Sequence, residues 1–184
     1  MLPQRLEGKT CGTCTACCEF PPIRTPSLQK PTNVLCPHCD RGSGCTVYDR
    51  RPSECAGWYC GWFYLAGLSD AWHPVLSGVV LRLEALAQNE ITVVILRQSA
   101  FLLSEEFAGV IGAWVEAGVI VHFERLGPPG HLPAKMAVNE LLAPAIAARD
   151  LREMHKVFSW AIAYMDTEHS WEPDGIVLTS SLSA

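Results

Sequence analysis

The alternation of polar and apolar positions changes its rhythm near residue 62. Beyond that point it is regular. Val79–Glu84 alternates and opens on β-branched residues, which predicts a strand. Ile91–Arg97 is a stronger strand, with Ile91, Val93, Val94, Ile95 and Leu96 bounded by polar residues. Ser104–Ala117 has helical spacing, because Phe107, Val110, Ile111, Trp114 and Val115 fall on one stripe. Ser104 suits its N-cap, Glu105 and Glu106 complement the dipole in the first turn, and Gly118 suits its stop. Val119–Glu124 follows as a strand, Gly127-Pro128-Pro129-Gly130 as an exposed turn, and Leu132–Val138 as a short strand. From Asn139 to about Met165 the spacing is helical again, with Leu151, Met154, Val157, Phe158, Ala161 and Tyr164 on one side. Pro144 belongs in a first turn, so this helix is expected to begin near residue 143, with Arg149 and Glu153 paired on its solvent side. The tail after Thr167 reads as loosely held.

Residues 1–62 have no such period. Pro21, Pro22, Pro26, Pro31 and Pro37 break any long helix, leaving loops and brief helices near Cys14–Phe20 and Arg51–Cys55. A cluster of aromatic residues follows: Trp58, Tyr59, Trp62, Phe63, Tyr64 and Trp72. The expected fold is therefore α+β: a loop-rich, cysteine-bearing N-terminal region packed on a small mixed sheet with two longer helices. Residues 1–62 form the first part and 63–184 an α+β scaffold, which can be one continuous domain with it.

Composition sharpens the contrast. Hydrophobic residues make up 49% and charged residues 18%, enough apolar material for a core. Residues 1–60 carry +2 and residues 61–184 carry −7, which together give the net −5. No part is basic enough to predict nucleic-acid binding. No apolar run reaches the roughly 18 residues of a membrane span, and Met1 to Thr10 is polar, without a signal-peptide core. The expectation is a cytoplasmic protein.

All nine cysteines lie before residue 61: Cys11, Cys14, Cys17, Cys18, Cys36, Cys39, Cys45, Cys55 and Cys60. Packing does not call for thiols at fixed short intervals. A metal does, since thiolates two residues apart reach one ion from a single turn. In a reducing compartment, and with an odd count, ligation is favoured over disulfides. Adjacent Cys17 and Cys18 diverge, by about 100° in a helix, so they do not ligate one ion comfortably. The count permits two four-thiolate sites with one cysteine over, or one site and several structural thiols. His38, between Cys36 and Cys39, is a further candidate, placed behind the thiolates. His73, His122, His131, His155 and His169 read as surface or capping residues. There is no Gly-rich phosphate loop, no H-E-x-x-H and no G-x-S-x-G.

The run Cys11-Gly-Thr-Cys14-Thr-Ala-Cys17-Cys18, then Cys36-Pro, then Cys45-Thr-Val-Tyr48-Asp-Arg-Arg51-Pro52-Ser-Glu-Cys55, resembles the bacterial cysteine-cluster proteins of the CxxCxxCC, YkgJ-like family. The resemblance covers roughly residues 11–60. It implies zinc or iron chelation, with Cys11, Cys14, Cys17, Cys18, Cys36, Cys45 and Cys55 as matching positions. Cys60 fits a frequent later cysteine, and Cys39 departs from the pattern. A four-thiolate zinc site carries a formal −2 charge, which Arg51, or Arg24 or Arg41, would offset while donating to sulfur. Tyr48 belongs with Arg51 in that outer role. Pro52 would start a helix that aims Cys55 at the metal.

The expected ligand set is thus Cys11, Cys14, Cys17, Cys18, Cys36, Cys45, Cys55 and Cys60, with Cys39 and His38 behind them, holding one or two zinc ions. The alternative is an iron–sulfur cluster of a redox protein, which the same thiolates would bind. An all-thiolate set is closed to substrate, so no catalytic residue is assigned and a binding role is expected rather than an enzyme. The partner named by the sequence is the metal ion. An acidic second half and the Gly127–His131 loop are compatible with a protein partner of unstated kind.

Overall fold

The computed structural model describes residues 5–56, 58, 60–83, 89–167 and 172–181. Tyr59, Glu84 and His169, singled out in the sequence, lie outside these. The front of the chain is made of short pieces: helix α1 (Ala16–Glu19), strands β1 (Ile23–Arg24), β2 (Leu28–Lys30), β3 (Cys39–Asp40) and β4 (Gly44–Cys45), and helices α2 (Ser53–Ala56), α3 (Gly61–Tyr64) and α4 (Pro74–Ser77). The regular part follows: β5 (Val79–Leu83), β6 (Glu90–Ile95), α5 (Glu105–Glu116), β7 (Ile120–Arg125), β8 (Ala134–Ala137), α6 (Asn139–Ala147), α7 (Leu151–Thr167) and β9 (Thr179–Ser180). The fold is α+β, as the alternation of strand and helix periods implies.

Strands β5, β6, β7 and β8 form the main sheet in that order. Only the β6–β7 pair is parallel, and α5 makes its crossover. Alternate residues divide the two faces. Val79, Leu81, Ile91, Val93, Ile95, Val121 and Phe123 face one core with Phe107, Ile111, Leu142, Phe158 and Met165 of the helices. The opposite face presents Val80 and Val94, which are covered from the cysteine-rich front by Phe20, Trp58 and Cys60. Strand β6 is therefore buried on both sides from Ile91 to Ile95, which is why it reads as an apolar run. On that second face, Glu124 accepts a two-pronged bond from Arg82 at 2.9 and 2.7 Å across β6.

The α5 boundaries follow the expected chemistry. The Ser104 hydroxyl accepts from the Phe107 N–H at 3.1 Å, and Gly118 stands in the left-handed region (φ 76°) beyond the helix end. The next helix does not. The single helix expected from Asn139 to Met165 is two, parted at Ala148–Asp150, where Arg149 adopts φ 52°. Pro144 lies inside α6 rather than opening it. Arg149 is consequently not beside Glu153, whose carboxylate instead pairs with Lys156 at 2.7 Å.

The tail is also held more firmly than its composition suggests. β9 pairs with β2, through Leu28–Ser180 and Gln29–Thr179. The Asp174 carboxylate accepts from the Thr32 N–H at 2.5 Å and the Ile176 N–H at 3.0 Å. Gly130 donates its N–H to the Thr32 carbonyl at 2.8 Å and accepts from the Asp174 N–H at 2.8 Å. The 127–131 turn is thus clamped between the front and the tail, with the Asn33 amide donating to the Gly127 carbonyl at 2.9 Å.

Candidate metal centre

Short backbone bonds gather the cysteines. The Cys14 N–H donates to the Cys11 carbonyl (2.9 Å), closing one turn. Cys17 and Cys18 sit side by side on α1. The Cys36 N–H donates to the Cys18 carbonyl (2.9 Å) and the Cys39 N–H to the Cys36 carbonyl (3.0 Å), which brings the second cysteine pair back to the first. Cys39 and Cys45 lie opposite one another in the β3–β4 hairpin. Cys55 stands on α2, whose Ala56 N–H reaches the Pro52 carbonyl (2.9 Å), and Cys60 bridges to Arg82 on β5. All nine thiols are free.

The result is one cavity of about 240 Å³ with eight cysteines on its wall: Cys11, Cys14, Cys17, Cys18, Cys36, Cys45, Cys55 and Cys60. Tyr48, Arg51, Trp58, Trp62 and His73 share that wall. Cys39 does not; its thiol points to the Asp40 carbonyl at 4.0 Å and lies near that of Cys18. His38 is buried and bonded through Nε2 to the Ser180 hydroxyl, which ties it to the tail. Among the described residues, no three His, Cys, Asp or Glu side chains are already gathered closely enough to hold one ion. In a tetrahedron of ~2.3 Å bonds the sulfurs stand roughly 3.8 Å apart, so ligation requires the wall to close.

Burial governs most of these thiols, because it disfavours the anion. It pushes Cys14 and Cys55 up to about 11 and Cys60 up to about 12. Cys11, Cys36 and Cys39 move the same way for the same first reason. Cys17 goes in the other direction, to about 7, chiefly because the Cys18 thiol donates to it, with Arg51 and Lys30 adding positive charge. Donating to that sulfur holds the Cys18 proton in place and raises its own pKa.

The cations sort differently from the sequence reading. Arg51 lies on the wall with its guanidinium 4.1 Å from the centre of the Tyr48 ring. Burial works against its charge, but the bond to Tyr48 and the nearness of Tyr48, Cys17 and Cys45 keep its pKa above the usual value. Arg24 and Arg41 do other work: Arg24 donates to the Asp174 carbonyl at 2.9 Å, and exposed Arg41 grips Glu19 with two bonds of 2.8 and 2.9 Å.

The residue that sequence reasoning missed is Lys30. It is 0% exposed, and its ammonium donates to the carbonyls of Glu19 (2.8 Å), Pro31 (3.0 Å) and Val34 (2.9 Å). Burial lowers its pKa to about 8 while Cys36, Cys18 and Cys55 pull the other way. Strand period 2 puts Lys30 on the same buried side as Leu28, but a strand of three residues leaves no readable alternation.

Two observations favour a thiophilic cation. The wall supplies sulfur donors from five separate stretches of chain, and the buried indole N–H of Trp58 has no acceptor among the described residues, which suits donation to a thiolate. His73, on the cavity wall, caps α4 by accepting from the Val75 N–H (3.4 Å), while His131 bonds the Pro129 carbonyl (3.0 Å) and His155 packs beside Phe158, both away from that wall. Trp62 meets His73 edge-on at 4.8 Å and belongs to the main core, as aromatic packing under the thiols requires. No family model, curated protein or solved structure matches the chain, so the likeness to the cysteine-cluster family rests on its motif residues alone.

Proposed function

We propose that this protein binds zinc through its cysteine thiolates, in a structural or chelating role, within a reducing, cytoplasmic setting. The observation that carries this reading is the convergence of eight thiols on one cavity beside a buried lysine and an arginine. A core has no need of thiols from five stretches of chain, whereas a borderline-soft cation binds them with high affinity. The positive charges suit a site that gains negative charge when its thiols lose their protons. Zinc is preferred over an iron–sulfur cluster because the cysteine spacing follows neither common ferredoxin pattern.

Metal analysis of protein purified without oxygen, with an absorption spectrum of the same sample, tests this. Zinc at one or two equivalents in a colourless sample is expected. A brown sample whose visible absorbance bleaches on reduction would replace zinc by an iron–sulfur cluster. A reduced sample free of any metal would end the metal-binding reading.

A further inference from the structure

Eight of the nine cysteines line the cavity, and Cys39 is the one that does not. It is half-buried on β3, beside an exposed hairpin tip at Asp40–Ser43. The pairing of that hairpin is fixed at both ends. At the tip, the Asp40 carboxylate accepts from the Gly42 N–H (3.0 Å) and the Ser43 hydroxyl (2.8 Å). The Ser43 N–H donates to the Asp40 carbonyl (3.2 Å), and Gly44 takes the left-handed conformation (φ 83°) with which so short a loop closes. At the open end, the Thr46 N–H and hydroxyl both donate to the His38 carbonyl, at 2.9 and 3.0 Å.

The bond from Thr46 to His38 decides what kind of pair stands inside it. Cys39 and Cys45 are Cα partners, and the ladder bond comes from their neighbours, so they form a non-hydrogen-bonded antiparallel pair. Both side chains of such a pair stand on one face, with Cα atoms about 4.5 Å apart. A disulfide spans Cα separations of roughly 4.4–6.8 Å, so the backbone is already set for one. The other cysteines near Cys39 are placed differently. Cys36 is buried with Ile23 and Leu28, and Cys18 stands on α1, outside this ladder. Of the cross-strand pair, Cys45 belongs to the cavity wall and Cys39 is spare.

We propose that Cys39 and Cys45 are a redox pair, which a low-molecular-weight disulfide converts to a cross-strand disulfide; the consequence for zinc rests on the metal-binding reading above. The Cys39 thiolate attacks one sulfur of the small disulfide and expels a thiolate, leaving a mixed disulfide. The Cys45 thiolate then attacks the Cys39 sulfur and expels the second thiolate. The two cysteine protons end on the two expelled thiols, and the small disulfide takes the two electrons. Only a thiolate ligates a metal, so the bond withdraws Cys45 from the wall and lowers zinc affinity, and reduction restores both.

Reduced, metal-free, full-length protein incubated with oxidised glutathione, then alkylated and digested with trypsin, provides the test. Cleavage after Arg41 separates the two cysteines, so the bond is read by mass spectrometry as a linked pair of peptides. A link between Cys39 and Cys45 is expected, and its loss in Cys39→Ser. In zinc-loaded protein with an indicator, oxidised glutathione is expected to release zinc as the link appears, and more slowly from Cys39→Ser, which holds as much zinc as the parent when reduced. Linkage of Cys39 to Cys18 or Cys36, or a Cys39 that ends alkylated or still joined to glutathione, would overturn the pair. A parent that forms the link and keeps its zinc would overturn the switch. A reduced parent that takes up no zinc would overturn the metal-binding reading, while the link, read without metal, stands or falls by itself. The digest of the parent decides the pairing even if Cys39→Ser does not fold.

Discussion

Lys30 fixes both the shape and the charge of the thiol region. Its three acceptors sit at the two ends of the segment that joins Cys18 to Cys36, so the ammonium helps to close that segment together with the Cys36–Cys18 and Asn33–Phe20 backbone bonds. Lys30→Met would take the donor from one buried and two half-buried carbonyls, at about 1–3 kcal/mol for the buried one and less for the others. A loss of about 3 kcal/mol in urea unfolding of the reduced, metal-free protein is expected, and an unchanged midpoint would refute the role. The thiols carry a second prediction. Cys14 and Cys55 at about 11 and Cys60 at about 12, raised from 9.0, are neutral at pH 7. In metal-free protein their raised pKa values stabilise the fold below about 9, and this contribution is lost as the pH climbs through 11 to 12. A cation must displace those protons, so its affinity falls as the pH is lowered. Adding Zn²⁺ to weakly buffered protein with an indicator should release protons; uptake without acidification would contradict it. The cysteine run was legible because its spacing is independent of the fold. Lys30 was not, because a lone lysine beside Pro31 looks like any surface residue until β2 buries it.

Among the elements, the long ones could be read and the short ones could not. β6 showed itself as an apolar run because both of its faces are covered, and α5 because its cap, stripe and glycine stop agree. The break between α6 and α7 was missed because Arg149, not glycine, takes the left-handed turn there. The available signal was Asp150, whose carboxylate accepts from the Glu153 N–H at 3.1 Å, an N-cap in the middle of an apparently continuous helix. The contact between the front and the sheet depends on α3. A Cβ on Gly61 would stand 2.7 Å from the Leu81 Cβ, so only glycine lets α3 approach β5 so closely. Gly61→Ala is expected to cost about 1–3 kcal/mol of stability and to displace neighbouring Cys60. Thermal unfolding and metal retention measured together check this; a variant as stable as the parent would show that α3 is free to shift.

At the scale of the molecule, packing runs across residue 62. Trp62 and Phe63 share one core with the sheet and helices, while Phe20 and Trp58 cover the sheet's other face. The α+β class follows from the periods, but the return of the tail to β2 does not, because two residues of strand carry no pattern. Asp174 fastens that return. Burial would raise its pKa, but the N–H groups of Thr32 and Ile176, with Arg24 near, hold it below 3.8. A lowered carboxylate stabilises the fold above its unfolded value and loses this as the pH falls through the folded one. Asp174→Asn should therefore weaken the protein by about 1–2 kcal/mol at pH 7 and by less in acid; an equal loss at pH 7 and pH 2 would contradict the charge's role. Among the described residues no helix is long and apolar enough to cross a membrane.

X-ray absorption at the metal edge of anaerobically purified protein probes the proposed ligation most directly. A shell of sulfur alone at ~2.3 Å from zinc is the expected result. A shell dominated by nitrogen or oxygen would contradict it.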